Sequence, residues 1–351
     1  MLFGLCISIL WSCRKDPEIQ VARTTPYEVE YPSLIISTVG PMVIPDDNKL
    51  TEEGIALGKK LFYDKRLSGT GALSCNTCHK QEYAFSTPQN GIANFGGGVP
   101  RNVMPFFNLG WASTYPWDGR ITGLEEKIEE SILVTVDGDP EIIIPRLEED
   151  AFYPSEFEVV FGDDKITLER ISKAMAQFFR TLISGDTPFD RYLTTGPGTT
   201  GLSSADELRM YQGYSIFRDP AKGDCQHCHG DENNGLFTNN QLLNNGMDET
   251  FSDKGYGFIT ENAIHDGLFK APSVRNLVFT APYMHDGRFA TLEEVIDHYS
   301  EGVVWSPTIS GGMEHVATGG VNLTPEEKDL LIFFLECLSD TSFTTNPEYM
   351  E

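Results

Sequence analysis

Two pentads in this chain, Cys75-Asn-Thr-Cys78-His79 and Cys225-Gln-His-Cys228-His229, have the residue types to hold a redox centre. In each, two thiols spaced by two residues can add across the two vinyl groups of a haem. The next residue, a His, lands on the same side as an iron ligand. A lone Cys-x-x-Cys also serves as a redox pair or as half of a zinc site. The immediate His, present twice, points instead to two covalent haem c groups. Cys75, Cys78, Cys225 and Cys228 are then the attachment points, and His79 and His229 the iron ligands. Such a chain moves electrons. An iron left open on its other face also reacts with peroxide or oxygen.

The remaining cysteines do not compete for these roles. Of seven, Cys6 and Cys13 lie in the first apolar stretch. Cys337 stands alone in an apolar C-terminal segment and reads as a small buried hydrophobe. No pair is left for a structural disulfide, so export is inferred from haem attachment and the leader. Residues 1–13 end Leu10-Trp11-Ser12-Cys13 and read as a signal segment, too short to span a bilayer. The ending resembles a bacterial lipoprotein box with Cys13 lipidated, although no basic residue precedes the run; ordinary cleavage nearby is the alternative. The expected location is the periplasm or cell envelope, with a membrane reached only through a lipid on Cys13. The formal net charge of −26 argues against a nucleic-acid partner. It suits a basic partner, such as a small electron-donor cytochrome or cupredoxin, and equally a well-solvated surface.

These residues need elements to hold them. The 351 residues suffice for two domains, and 40% are hydrophobic, enough for sizeable cores. Residues 14–50 read as a tether and an extended arm. An internal repeat organises the chain beyond residue 50. Gly58-Lys-Lys-Leu61-Phe62-Tyr-Asp64 precedes the first pentad, and Gly213-Tyr-Ser-Ile216-Phe217-Arg-Asp219 the second. Each reads as an apolar-faced helix leading into its pentad, the order of a cytochrome c domain. Ile166, Ile171, Met175, Phe178, Phe179 and Leu182 keep helical spacing and predict a core face. Capping boxes open two more helices. One is Thr291 with Glu294, ahead of His298 and Tyr299; the other is Thr324 with Glu327, with Pro325 at the first helical position. Strand alternation is scarce, and glycine-rich loops at 91–98 and 310–320 are of the kind that lines a haem edge. The stretch 187–204, rich in Thr, Gly, Ser and Pro, reads as a connection. The expected fold is mainly α, with two cytochrome c-like domains, 51–195 and 205–342, each with one covalently attached haem c.

Longer motifs surround these features: Leu73-Ser-Cys75-Asn-Thr-Cys78-His79; Arg101-Asn102 ahead of Pro105; Trp117-Asp118-Gly119-Arg120; Ser184-Gly-Asp-Thr-Pro-Phe-Asp-Arg-Tyr192; and Thr280-Ala-Pro-Tyr-Met-His-Asp-Gly287. Together, over roughly residues 50–340, they resemble the bacterial dihaem cytochrome c peroxidases, which include the MauG-type proteins. The resemblance implies two helical cytochrome c domains and a homodimer. It implies hydrogen peroxide reduction at the N-terminal haem, with electrons entering at the C-terminal one. Trp117 resembles the tryptophan between the haems; a large core aromatic is the bland alternative. Asn102 resembles a calcium ligand at the domain boundary, and Thr280 and Pro282 would add backbone carbonyls. Hard oxygen ligands suit Ca²⁺.

Departures from the family pattern are informative too. In many members a His after the first pentad caps the N-terminal iron. No His occurs between His79 and His227 here, and Phe95 sits roughly where that ligand would be. The expectation is a first haem that is five-coordinate or water-bound, active without reductive priming. The family's proton-moving Glu falls twenty residues after the bridging Trp, at Asp137. Asp139 or Glu141 could serve if the loop is shifted, and Asp137-Gly-Asp139-Pro140 is also a strong turn sequence. Lys127 stands where many members have Gln, ten residues after the Trp. Fourteen residues after His285, where better-known peroxidases have a Met ligating the second iron, stands Tyr299, as in MauG-type proteins. On a helix His298 and Tyr299 point about 100° apart, so only one faces the iron. Met313 is a rival ligand. Met raises a haem's potential, whereas a phenolate stabilises oxidised states and favours attack on a protein or organic target. His227 is expected at the surface, His285 in a structural role and Arg275 against a haem propionate; His265 and His315 have no assigned role. The leading reading is a dihaem peroxidase. MauG-like oxidation of another molecule is the second, and a non-enzymatic electron carrier the third.

Overall fold

A computed structural model of the chain describes residues 24–88, 93–94 and 100–351. Cys13 and Phe95 lie outside the described residues. The fold is mainly helical. Among the described residues, sheet is limited to two short antiparallel pairs, Ala93–Asn94 with Pro100–Arg101 and Leu242–Leu243 with Phe269–Lys270. No described helix is long and apolar enough to cross a membrane.

Two crossed helix pairs build two apolar clusters. The helix Glu52–Tyr63 starts at Thr51, whose side chain accepts from the Gly54 amide. It crosses the helix Leu168–Thr181, capped in the same way by Thr167. Their backbones touch at Gly58, where a Cβ would lie 1.9 Å from the Ala174 carbonyl oxygen. Leu57, Leu61 and Phe62 then mesh with Ile171, Met175, Phe178 and Phe179. The second pair repeats this geometry. Ser204–Arg218 crosses Pro325–Glu336, and a Cβ on Gly213 would lie 2.0 Å from the Leu330 oxygen. Met210, Tyr214 and Phe217 meet Leu331, Phe334 and Leu335 there. Gly58 and Gly213, equivalent in the sequence repeat, are thus points where the paired helices meet backbone to backbone. Both predicted capping boxes form.

Two segments depart from expectation. The stretch 187–204 holds a helix, Pro188–Thr195, opened by a Thr187–Asp190 capping box. Its Phe189 is fully buried in the second cluster. Thr and Pro here are helix-start chemistry, which shares its composition with turns. The C-terminal segment, beyond the expected boundary at 342, returns to the first cluster. Phe343 packs on Phe85 and Phe107, and Gln81 Nε2 donates to the carbonyls of Phe343 and Asn346 (3.1 and 2.9 Å).

The repeat runs further than the helix and pentad. Residues 108–131 and 276–299 correspond without a gap. Asn108 and Asn276 both have left-handed backbones (φ 56° and 61°), and each starts a 3-10 turn. A Tyr115–Ile121 bridge in one block matches Tyr283–Phe289 in the other. Inside each bridge an Asp-Gly-Arg turn pairs its own Asp and Arg, Asp118 with Arg120 and Asp286 with Arg288. The helices Leu124–Glu130 and Leu292–Glu301 come next. Trp117 therefore corresponds to His285, Lys127 to Val295 and Ser131 to Tyr299.

Candidate haem-binding sites

The second pentad borders a largely apolar cavity that meets Cys225, Cys228 and His229 together. His229 Nδ1 lies 2.8 Å from the Pro272 carbonyl oxygen, which can only accept. Nδ1 is therefore the protonated nitrogen, and Nε2 is left for a metal. Burial pushes the imidazole below its usual pKa and keeps it neutral. Burial likewise pushes the Cys225 thiol up to about 12 and Cys228 to about 11.

The helix Leu292–Glu301 forms one wall through Leu292, Val295, Ile296 and Tyr299. The Tyr299 hydroxyl accepts from Asn245 Nδ2 at 3.0 Å, and burial holds the phenol above its ordinary pKa. His298 turns away, with Nε2 donating to the Asn245 carbonyl at 3.2 Å. Of these neighbours, only Tyr299 lines the cavity. Met313 lines it as well.

The first pentad repeats the His arrangement. His79 Nδ1 donates to the Phe85 carbonyl at 2.8 Å, which Ala84 and Phe85, both with positive φ, turn toward it. Burial pushes His79 down to about 4, and the charge of Lys127 adds to the shift. Phe106 stacks on the imidazole at 3.6 Å between ring centres. Lys127 is half-buried and ion-paired with Glu130, which also pairs with Arg120. From Arg120 the chain of charges continues through Asp118 to Arg101 (2.7 Å each) and on to Asp253 (2.7 Å).

The other candidates are scattered. Asp137 is exposed with φ 52°, in the turn after a π-helical turn at Ser131–Thr135. Asp139 caps the helix Pro140–Glu148, its side chain accepting from the Glu141 amide at 2.9 Å; Glu141 is exposed. Trp117 is buried, lines the second cavity, and donates from Nε1 to the Asn102 carbonyl at 2.8 Å. The Asn102 amide nitrogen faces the carbonyls of Pro282 and Met284, while its Oδ1 is buried with no partner. An orphaned oxygen beside two carbonyls is a donor set that a hard cation would complete. Thr280 is buried in the same loop.

Arg275 overturns its expectation. It is fully buried, its fork bonded to Asp190 (2.8 and 2.7 Å) and its Nε to the Gly235 carbonyl (2.7 Å). A planar guanidinium matches a carboxylate bidentately, so these donors are committed within the protein. His285 is buried, stacks on Phe269 at 3.7 Å and also lines the cavity at the second pentad; His227 is exposed. His265 bonds Thr260 Oγ1 (2.9 Å), and His315 lines the second cavity. Sequence reasoning missed Lys270, buried in the second cavity; a charge inside the apolar run Leu268 to Ala271 was the available signal.

The family model described as di-haem cytochrome c peroxidase matches residues 52–197. The methylamine utilization protein MauG of Methylorubrum extorquens is 33% identical over 300 residues, 84% of this chain and 80% of that protein. The cytochrome c551 peroxidase of Nitrosomonas europaea is 30% identical over 265 residues, 73% of this chain and 74% of that protein. Among solved structures, a MauG-like protein associated with microbial copper homeostasis superposes with a TM-score of 0.78 at 31% identity, covering 92% of this chain and 98% of that one.

Proposed function

The chain belongs to the di-haem cytochrome c peroxidase family, and from that premise we propose a peroxidase that reduces hydrogen peroxide to water with electrons from a small cytochrome or cupredoxin. Each apolar cluster is then the core of a cytochrome c-like domain, with haem c on Cys75, Cys78 and His79 in one and on Cys225, Cys228 and His229 in the other.

One observation distinguishes the two sites. Tyr299 points into the second cavity, and its counterpart on the equivalent helix is Ser131, whose side chain is too short to cap an iron. A haem at the first pentad would accordingly be the open one, and at the second Tyr299 would be the capping residue, with Met313 as the alternative. When bound, the haem supplies an iron that takes up peroxide and exchanges electrons. The protein's own groups do the rest. The Phe85 carbonyl fixes the His79 ring. Lys127 brings a positive charge toward His79 that favours an anion there. Asp137 takes up and returns a proton at its carboxylate oxygens. Trp117, tied to Asn102, joins the two sites. Calcium at Asn102, Pro282 and Thr280 would stiffen that junction, and Met284 supplies a further carbonyl. A lipid on Cys13, a place in the periplasm or cell envelope and a homodimer belong to the same proposal.

A second reading, oxidation of a protein or organic target, is favoured by Tyr299 alone. EPR of the resting ferric protein combined with peroxide turnover on a reduced cytochrome tests both. One high-spin and one low-spin haem with sustained turnover are expected. Slow turnover with that same spectrum would favour the second reading, and two low-spin haems would overturn the open first site.

A further inference from the structure

We propose that Lys270 anchors a propionate carboxylate of the haem held by Cys225, Cys228 and His229. A haem is a dicarboxylic acid, and its propionates leave the macrocycle away from the thioether bonds. Buried carboxylates need a partner. Lys270 is the only Lys or Arg among the described residues that line the second cavity. Arg275, five residues on, is committed to Asp190.

Among the described residues, Lys270 also has no anion of its own. It is 7% exposed, and burial alone pushes its ammonium down to about 8, with no described carboxylate offsetting the shift. One proton is used by the Thr114 carbonyl at 2.8 Å, and the Tyr115 ring lies 5.4 Å away. An ammonium donates three hydrogen bonds. A carbonyl and a ring face leave both its charge and two donors unsatisfied, and a propionate would satisfy both. The Lys270 amide meanwhile donates to the Trp117 carbonyl at 2.7 Å. One residue would thus tie the haem edge to the loop of the bridging tryptophan and help set that haem's potential. It acts as a positioning residue.

The inference rests on haem attachment at the second pentad, so a pyridine haemochrome count of two haems per chain comes first; fewer than two would remove the attachment reading itself. The midpoint potential of the low-spin haem is then measured in the intact holoprotein and in Lys270→Met and Lys270→Arg. An unpaired carboxylate stabilises the ferric state. Lys270→Met is expected to lower the ferrous-to-ferric ratio at fixed potential about tenfold, 59 mV for one electron. Lys270→Arg, which keeps the charge, should stay within threefold of the parent. Should Lys270→Met fail to mature, Lys270→Gln makes the same comparison. An unchanged potential in the neutral variant, or an equal drop in the arginine variant, would overturn the assignment.

Discussion

Asp137 is exposed while Lys127 is half-buried and ion-paired with Glu130, and under the proposed function that difference separates two roles at the first pentad. A group that exchanges protons with solvent must reach water. A charge that favours an anion works best away from it. Asp137 also sits at φ 52°, a backbone region that Asn tolerates as well as Asp does. Asp137→Asn therefore removes the titrating group without disturbing the turn. Peroxide cleavage, monitored by rapid mixing, should slow by about 10²–10⁴-fold with the resting spectrum unchanged. A rate within threefold of the parent would transfer the proton role elsewhere, with Asp139 and Glu141 in the same turn and helix start as the next to substitute.

The two helix crossings set the frame that presents the pentads, and a glycine decides each. A methyl group at Gly58 or Gly213 would push against backbone, at 1.9 and 2.0 Å, not against a flexible side chain. Gly58→Ala and Gly213→Ala should each cost about 1–3 kcal/mol, read as a lower denaturant midpoint. Gly311→Ala, where nothing lies within 4 Å, is the neutral control. These glycines and both capping boxes were legible in the sequence because repeat and cap signals are local. The helix Pro188–Thr195 was not, because Thr187, Pro188 and Asp190 spell a turn as readily as a helix start. The return of Phe343 and Tyr349 to the first cluster was hidden for another reason: it pairs segments far apart in sequence, and no periodicity records such a contact. Tyr299 at the second cavity came from counting along the chain, whereas its match to Ser131 needed the shared turns of the two blocks to align them.

At the scale of the whole molecule, two of the junctions between the halves stand out among the described residues. Asn108 and Asn276, equivalent in the repeat, converge on Ser184: Asn108 Nδ2 donates to its carbonyl and Asn276 Nδ2 to its hydroxyl, each at 2.9 Å. The second junction is the buried triad of Arg101 with Asp118 and Asp253, beside Trp117. Burial alone would raise the Asp253 carboxyl, but its bonds to Arg101 outweigh this and hold it below its usual pKa. A depressed carboxylate stabilises the fold above its unfolded pKa, and that contribution is lost as pH falls through the folded value. Arg101→Met reverses the sign for Asp253. The carboxylate stays buried without its cation, so its pKa rises and the cost is greatest where it is ionised. At pH 7 the variant should lose about 3–5 kcal/mol, because breaking a buried pair strands a charge. The deficit should shrink toward pH 4 as Asp253 takes up a proton, while Asp118 keeps Arg120 at 2.7 Å. Urea midpoints of parent and variant at both pH values make the comparison. A deficit that does not change with pH would mean that Arg101 joins the halves by packing on Phe269, 5.5 Å away, and not by charge.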